Sequence, residues 1–381
     1  MADMIDKLLA EDDRETSSLL TVEAEEFFET TIPQYETFDE ESWKKGQGYC
    51  TKTFPIFDKA MEGLENGMFL FAGPSNHGKT AILQELLMSY ALNEDNNLFG
   101  IYFSLDDGAD KIIPRIIASN IWRTPEYQRE REEAEQTHLD PPFPSIPITV
   151  VSKPSRYKDA LDAGDVPDGM ASTYEEYLRL RENGLAWLKT TNERFKIVDR
   201  SKIHNGEQML DYCQKLQAYV RAQHGDNANI IVGIDSLSDI EWDSKRFNTE
   251  KEKNDYCSSK IKEWSITTLG CPIFGSIHLR KTDPKKRPTV MDIKESGRWI
   301  YEASLAFIVY NDVAQNRQTA GVFYQSEGSE FFKPVIELHW AKNKQSSFKG
   351  MTFCYFDTPN GRVWECSEEA TEHYSQIIYT P

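Results

Sequence analysis

The sequence predicts an α/β domain built on a mainly parallel sheet covered by helices. Strand-like apolar runs recur at 69–72, 98–104, 148–151, 230–234, 272–277, 306–310 and 335–340, with helical stretches between several of them. Alternation of this kind favours parallel strands joined by helical crossovers. In addition, Gly73-Pro74-Ser75-Asn76-His77-Gly78-Lys79-Thr80 fits the pattern G-x-x-x-x-G-K-[ST] without a mismatch. It stands in the context that pattern requires, after a buried strand at 67–72 and before a helix at 81–88.

At 381 residues the chain suits one large domain with appendages, or two domains. Its first 45 residues read as an acidic arm. Residues 1–50 carry 14 Asp and Glu against four Lys and Arg, more than half of the net charge of −19. Apolar residues near helical spacing there (Met4, Ile5, Leu8, Leu9; Val22, Ala24, Phe27, Phe28) fit either a solvated tail or short helices that dock on a neighbouring subunit. The βα core is expected over 46–365, with a C-terminal tail at 366–381. Between 122 and 196 the βα pattern breaks into charged, proline-rich and basic stretches and an amphipathic helix at 174–188, which reads as an insertion. No apolar run approaches a membrane span, and the N-terminus resembles no export signal. Six scattered cysteines without a C-x-x-C pair predict free thiols in a reducing cytoplasm.

The chemistry of the glycine-rich segment is phosphate binding. Successive backbone N–H groups of the loop and of the helix start converge on phosphate oxygens, and the helix dipole favours the anion. Lys79 is expected to reach the β and γ phosphates, and the Thr80 hydroxyl to bind Mg²⁺. The acidic partner is Asp235, at the end of the apolar run 230–234, where a strand meets the carboxyl edge of the sheet. It is read either as the Mg²⁺ carboxylate or as a turn cap. Asp106 and Asp107 follow the run 98–104. One of them, with Asp106 preferred, is assigned to orient or deprotonate a water, while either could cap the helix beginning near Ala109. His278 ends the run 272–277, placed to touch a γ-phosphate or to serve as a structural histidine. Residues 279–297 hold six basic side chains and three acids. This loop is read as solvated, or as the contact with a nucleic-acid backbone through Arg280, Lys281, Lys285, Lys286, Arg287 and Lys294.

Taken in order, these stretches resemble the ATPase domain of the DnaB-family replicative helicases, ring-forming enzymes with a RecA-like core. The segments TKTFPIFD to GLENG, GPSNHGKT, IYFSLDD, IIVGIDSLSDI, IFGSIHLRK, KKRPTVMDIKESG with YEASLAFIVYND, and VIELHWAKNKQSSFKG match the family's succession over about 46–365, apart from the insertion. The resemblance implies ATP and Mg²⁺ as cofactors, bound by 73–80 and Asp235, with Asp106 as catalytic base and His278 as γ-phosphate sensor. It implies that Lys294, Glu295 and Gly297 lie in a loop that follows single-stranded DNA. Lys342 and Lys344 would enter the ATP site of the adjacent subunit, making a homo-oligomer, by the family's habit a hexamer. Two positions depart from the family: Asp106 replaces a Glu and is one methylene shorter, and Lys344 replaces an Arg, a point charge for a planar fork. Primase and helicase loader would be separate proteins, and a compact member of this kind suits a phage acting in its host's cytoplasm. The alternatives are a recombinase-like or circadian-clock-like (KaiC-like) ATPase, or an ATP-gated DNA-binding scaffold without unwinding activity.

Overall fold

Seven residues with no polar side chain, Gly67–Gly73, form β1, and every one of them is buried. Alternation along the strand sends Phe69 and Phe71 to one face of the sheet and Met68, Leu70 and Ala72 to the other, so both faces are apolar. This is the signature of a central strand. Two strands flank it, β5 (Pro272–His278) and β6 (Leu305–Asn311), both parallel to it.

The computed structural model describes residues 48–136, 144–279, 286–293, 297–325 and 330–379, so the acidic arm lies outside the described residues. Six parallel strands lie side by side in the order β3 (Phe195–Asp199), β2 (Leu98–Ser104), β4 (Asn229–Asp235), β5, β1 and β6. An antiparallel extension continues from β6 through β8 (Lys333–Asn343), β9 (Met351–Asp357) and β10 (Arg362–Glu365), with the short β7 (Phe323–Tyr324) on β8. The fold is thus the expected mainly parallel α/β sheet flanked by helices.

On one face, Phe71 packs against Phe307 and Phe274 with ring centroids 4.9 and 5.5 Å apart, and Phe307 meets Trp340 edge-on at 4.9 Å. The Lys79–Leu92 helix covers this layer through Ile82, Leu83, Leu86 and Leu87, all without exposure. Each such side chain, fully buried, contributes about 1.5–3 kcal/mol of transfer free energy. The opposite layer joins Met68, Leu70 and Ile273 to the helices Gly206–His224 and Glu250–Glu263 through Met209, Cys213, Cys257 and Ile261.

Three sequence expectations change. The run 148–151, read as a strand, is the helix Ile148–Ser152. Pro147 precedes it and Pro154 follows it, and Val150 and Val151 pack with Ile117, Ile121, Ile146 and Leu180 in a satellite core. Tertiary packing thus overrides the β preference of a β-branched run. The segment read as an insertion to 196 overlaps the sheet itself, because Phe195 and Lys196 open the edge strand β3 beside β2. Its long helix, Ala171–Thr191, seats Gly184 on Ile117, where an added Cβ would come within 2.6 Å of the isoleucine. Finally, β9, β10 and the helix Glu368–Tyr379 extend the fold beyond the last anticipated strand, with Tyr374 resting on Phe353 at 5.6 Å.

Among the described residues no helix is long and apolar enough to cross a membrane. All six cysteines are free.

Candidate nucleotide site

The parallel strands end together at one edge of the sheet, and the glycine-rich loop leaves β1 there. Gly78 has φ of 91°, in the left-handed region, and a Cβ on it would lie 2.6 Å from Ile336. Only glycine meets both conditions. The Lys79 ammonium reaches back across the loop to donate to the Pro74 carbonyl at 2.8 Å. Burial lowers its pKa to about 8, against the opposing pull of Asp235 and Asp106. His77 turns inward instead. Its Nδ1 accepts the backbone N–H of Asn311 at 3.0 Å, and its ring packs on Tyr310 at 5.2 Å. Burial and the nearby Lys79 charge lower its pKa to about 4, so the imidazole is neutral at pH 7.

In the first turn of the helix, the Thr80 hydroxyl donates to Asp235 Oδ2 at 2.6 Å. Asp235 ends β4, and two further hydroxyls hold it. Tyr102 donates to Oδ2 at 3.0 Å, and Ser276 to Oδ1. Thr80 and Asp235 therefore place two hard oxygens side by side beneath the phosphate loop. Mg²⁺ binding to one carboxylate, one hydroxyl and phosphate oxygens needs that donor set. Among the described residues no group of three or more His, Cys, Asp or Glu is placed to hold a metal ion.

Asp106 is exposed at the neighbouring strand end, with its backbone N–H on the Asp235 carbonyl at 3.2 Å. Its charge acts on both Lys79 and His278. Asp107 is engaged elsewhere, with Lys111 at 3.0 Å and Arg115 at 2.5 Å. Neither of the two caps the Ala109–Ser119 helix; Asp199, at the end of β3, accepts the Ala109 N–H at 3.0 Å. His278 ends β5, and burial together with the Lys79 charge lowers its pKa. Lys79, Thr80, Asp106, Asp235 and His278 all line one cavity of about 370 Å³, in the size range of small-molecule sites.

Other candidates lie elsewhere. Lys342 pairs in register with Ala306, and the Lys344 N–H bonds the Ser304 carbonyl, at the start of β6. Gly73, the first residue of the loop, lies against Val309 of β6, so at about 3.3 Å per residue the loop is about 10 Å along the strand from the level of Lys342 and about 16 Å from that of Lys344. Lys342 Nζ donates to the Ile300 and Tyr301 carbonyls, and burial and Lys344 lower its pKa to about 8. Arg287 forms a two-pronged ion pair with Glu337. Lys286 and Gly297 are exposed, whereas Arg280, Lys281, Lys285, Lys294 and Glu295 fall outside the described residues.

Tyr102, Ser276 and the Asn311 backbone act on the site without having been singled out in the sequence. Tyr102 and Ser276 are polar residues inside otherwise apolar strands, which was the available signal. The Asn311 contact carries none, because a backbone N–H is present at every residue but proline.

The ATPase domain of a DnaB-like helicase superimposes with a TM-score of 0.59 at 18% identity, covering 90% of this chain and 99% of that one. The fold is RecA-like. A DnaB-like replicative helicase, described with its interactions with primase, matches this RecA-like sheet with a TM-score of 0.58 at 18% identity, over 93% and 71% of the two chains. A KaiC-like protein from Pyrococcus horikoshii OT3 gives a TM-score of 0.41 at 13% identity, over 84% and 99%. No protein-family model and no curated sequence matches.

Proposed function

We propose that the chain is an ATP-dependent DNA helicase of the ring-forming replicative kind, which moves along single-stranded DNA and unwinds duplex by hydrolysing ATP at subunit interfaces. The observation that carries the reading is the 2.6 Å bond between Thr80 and Asp235 beneath the glycine-rich loop. It couples the loop to the strand that supplies the metal carboxylate. Mg²⁺ at these two oxygens would neutralise charge building on the β and γ phosphates.

The chain's own residues do the rest. Backbone N–H groups of the glycine-rich loop, together with Lys79, cradle the phosphates. Asp106, exposed and without an ion-pair partner among the described residues, orients and deprotonates the attacking water. His278, neutral at pH 7, donates a hydrogen bond to the γ-phosphate or its water. Lys342 and Lys344, set at the far edge of their own sheet, serve the nucleotide of an adjacent subunit. That arrangement requires a homo-oligomer, for which we take six subunits. Residues 280–297 follow the DNA backbone, residues 1–45 act as an acidic arm to the 46–365 core, and primase and loader are separate proteins in the same cytoplasm.

The test is phosphate release from ATP with and without single-stranded DNA, with Lys79→Ala as blank, followed by unwinding of a forked duplex. DNA should raise turnover several-fold over the blank. Turnover without unwinding would favour a RecA- or KaiC-like ATPase. Nucleotide binding with turnover equal to the blank would leave an ATP-gated scaffold.

A further inference from the structure

The segment 286–293 is fastened to the carboxyl edge of the parallel strands at both of its ends. At one end Ile293 forms a β-bridge with Leu279, the residue after His278, and both are buried. At the other, Arg287 reaches the ends of β6 and β8, where Tyr310 and Glu337 are cross-strand partners. Its guanidinium pairs with Glu337 and lies over the Tyr310 ring at 5.3 Å. A second carboxylate, Asp312, stands 3.7 Å from it. Between the two anchors the chain turns through Val290–Asp292, closed by a capping box of Thr289 with Asp292, and Met291 is left 84% exposed.

The first anchor leads back to the nucleotide site through His278, which the proposed function already uses. The second leads back through the phosphate loop. Tyr310 is buried, and besides Arg287 it packs on His77, with ring centroids 5.2 Å apart. The Tyr310 hydroxyl donates to Asp312 Oδ1 at 3.4 Å, and Asp312 in turn accepts the backbone N–H groups of Gly321 and Val322 at 2.6 and 3.0 Å, which holds the ring in place. His77 is equally fixed, because it is buried and its Nδ1 accepts the Asn311 N–H at 3.0 Å. The loop itself rests on the same two strand ends. A Cβ on Gly73 would lie 2.5 Å from the Val309 carbonyl, and one on Gly78 2.6 Å from Ile336.

This packing makes the loop and the segment mechanically continuous. Lys79 donates to the Pro74 carbonyl across the loop. A phosphate competes for that ammonium, so nucleotide binding exchanges a bond that spans residues 74–79, and His77 lies within the span. Close-packed interiors transmit a displacement instead of absorbing it. A shift at His77 therefore meets Tyr310 and, through it, Arg287. A leucine at 310 would keep the strand apolar but remove both the ring pair and the cation–π contact.

We propose that Tyr310 is a positioning residue that couples the phosphate loop to the segment 286–293, so that nucleotide at the loop and single-stranded DNA at the segment alter each other's affinity. It touches neither ligand. This rests on the helicase reading above and adds a second route, through His77, to the one through His278. By linkage the coupling is reciprocal, and its size is the factor by which one ligand changes the affinity for the other.

The affinity of the intact chain for a fluorescent oligothymidylate, measured with and without Mg²⁺ and ATPγS, gives that factor directly. In wild type the nucleotide should change DNA affinity by about fivefold or more, the lower end of ordinary couplings. Tyr310→Leu and Tyr310→Met should bring the factor close to unity while their affinity for each ligand alone stays at the wild-type level, a pattern that loss of folding does not produce. Tyr310→Phe, which keeps the ring and loses only the hydroxyl, should retain the factor. A second measurement needs no variant: amide hydrogen exchange over 286–293 in wild type should change when Mg²⁺ and ATPγS are added without DNA, and unchanged exchange overturns the coupling even if neither variant folds. Leucine and methionine variants that keep the wild-type factor overturn the route through His77 and leave the helicase reading standing. A wild-type chain that binds ATPγS but no DNA removes the helicase reading and this inference with it, a result distinct because the wild type alone shows it.

Discussion

The guanidinium of Arg287 donates to both carboxylate oxygens of Glu337, at 2.8 and 3.0 Å, and Glu337 is fully buried. Arg287 also lies over the Tyr310 ring at 5.3 Å, the same ring that packs on His77 of the phosphate loop. Glu337 in turn meets His339 at 3.0 Å. Residues 286–293 are thereby pinned to the sheet edge beside the nucleotide site. A residue that composition assigns to a nucleic-acid backbone is, in the fold, the partner of a buried carboxylate.

Arg287→Gln should therefore act first on stability. Removing one partner of a buried pair strands the other. Because Arg287 is about a third exposed, we expect a loss of about 2–3 kcal/mol rather than the full cost of a dry pair. Arg287→Met with Glu337→Met should recover most of it. Urea unfolding measures both, and a loss below about 0.5 kcal/mol for the single variant would contradict the structural role.

The hydroxyls that hold Asp235 should matter almost as much as the carboxylate. Residues that orient a metal ligand typically account for about 10–100-fold in metal affinity or activity. Tyr102→Phe and Ser276→Ala should thus raise the Mg²⁺ concentration for half-maximal turnover by about tenfold or more, with folding intact. An unchanged Mg²⁺ titration in both would separate Asp235 from the metal.

Lys344 is anchored at Ser304, about 16 Å along β6 from the phosphate loop of its own chain and farther than a lysine side chain spans. Lys344→Ala and Lys79→Ala chains, each inactive alone, should regain turnover when mixed, because some interfaces then combine an intact loop with an intact Lys344. Mixtures no more active than their components would place the lysine outside the reaction.

His77 predicts a pH dependence of stability. Its folded pKa, about 4, lies below the unfolded value of 6.5, so the unfolded chain binds more protons between these limits. Its contribution is complete above pH 6.5 and is lost as the pH falls toward 4. His77→Asn keeps an acceptor for the Asn311 N–H but does not titrate. Unfolding midpoints compared at about pH 7.5 and about pH 5 should show a smaller drop for the variant than for wild type, and parallel drops would exclude His77 as the source.

The central strands, the phosphate loop and the acids at the ends of β2 and β4 were legible in the order of residues. These are local signals, in which a run of apolar side chains, a glycine pattern and a strand-end carboxylate each declare their chemistry within a short stretch of chain. The same reading marked 122–196 as different without saying what it does. That 148–151 coils into a helix had to come from the assembled fold, because the hydrophobic surface that accepts Val150 and Val151 is built from Ile117, Ile121 and Leu180, in distant parts of the chain. So did the capping of a helix by Asp199 rather than Asp107, the pairing of Arg287 with Glu337, and the place of Ile148 in the wall of the cavity that Lys79 lines. Each of these depends on which side chains meet across a long loop of chain. Burial then fixes their partners, since an unpaired charge or carbonyl is tolerated in water and penalised in the core.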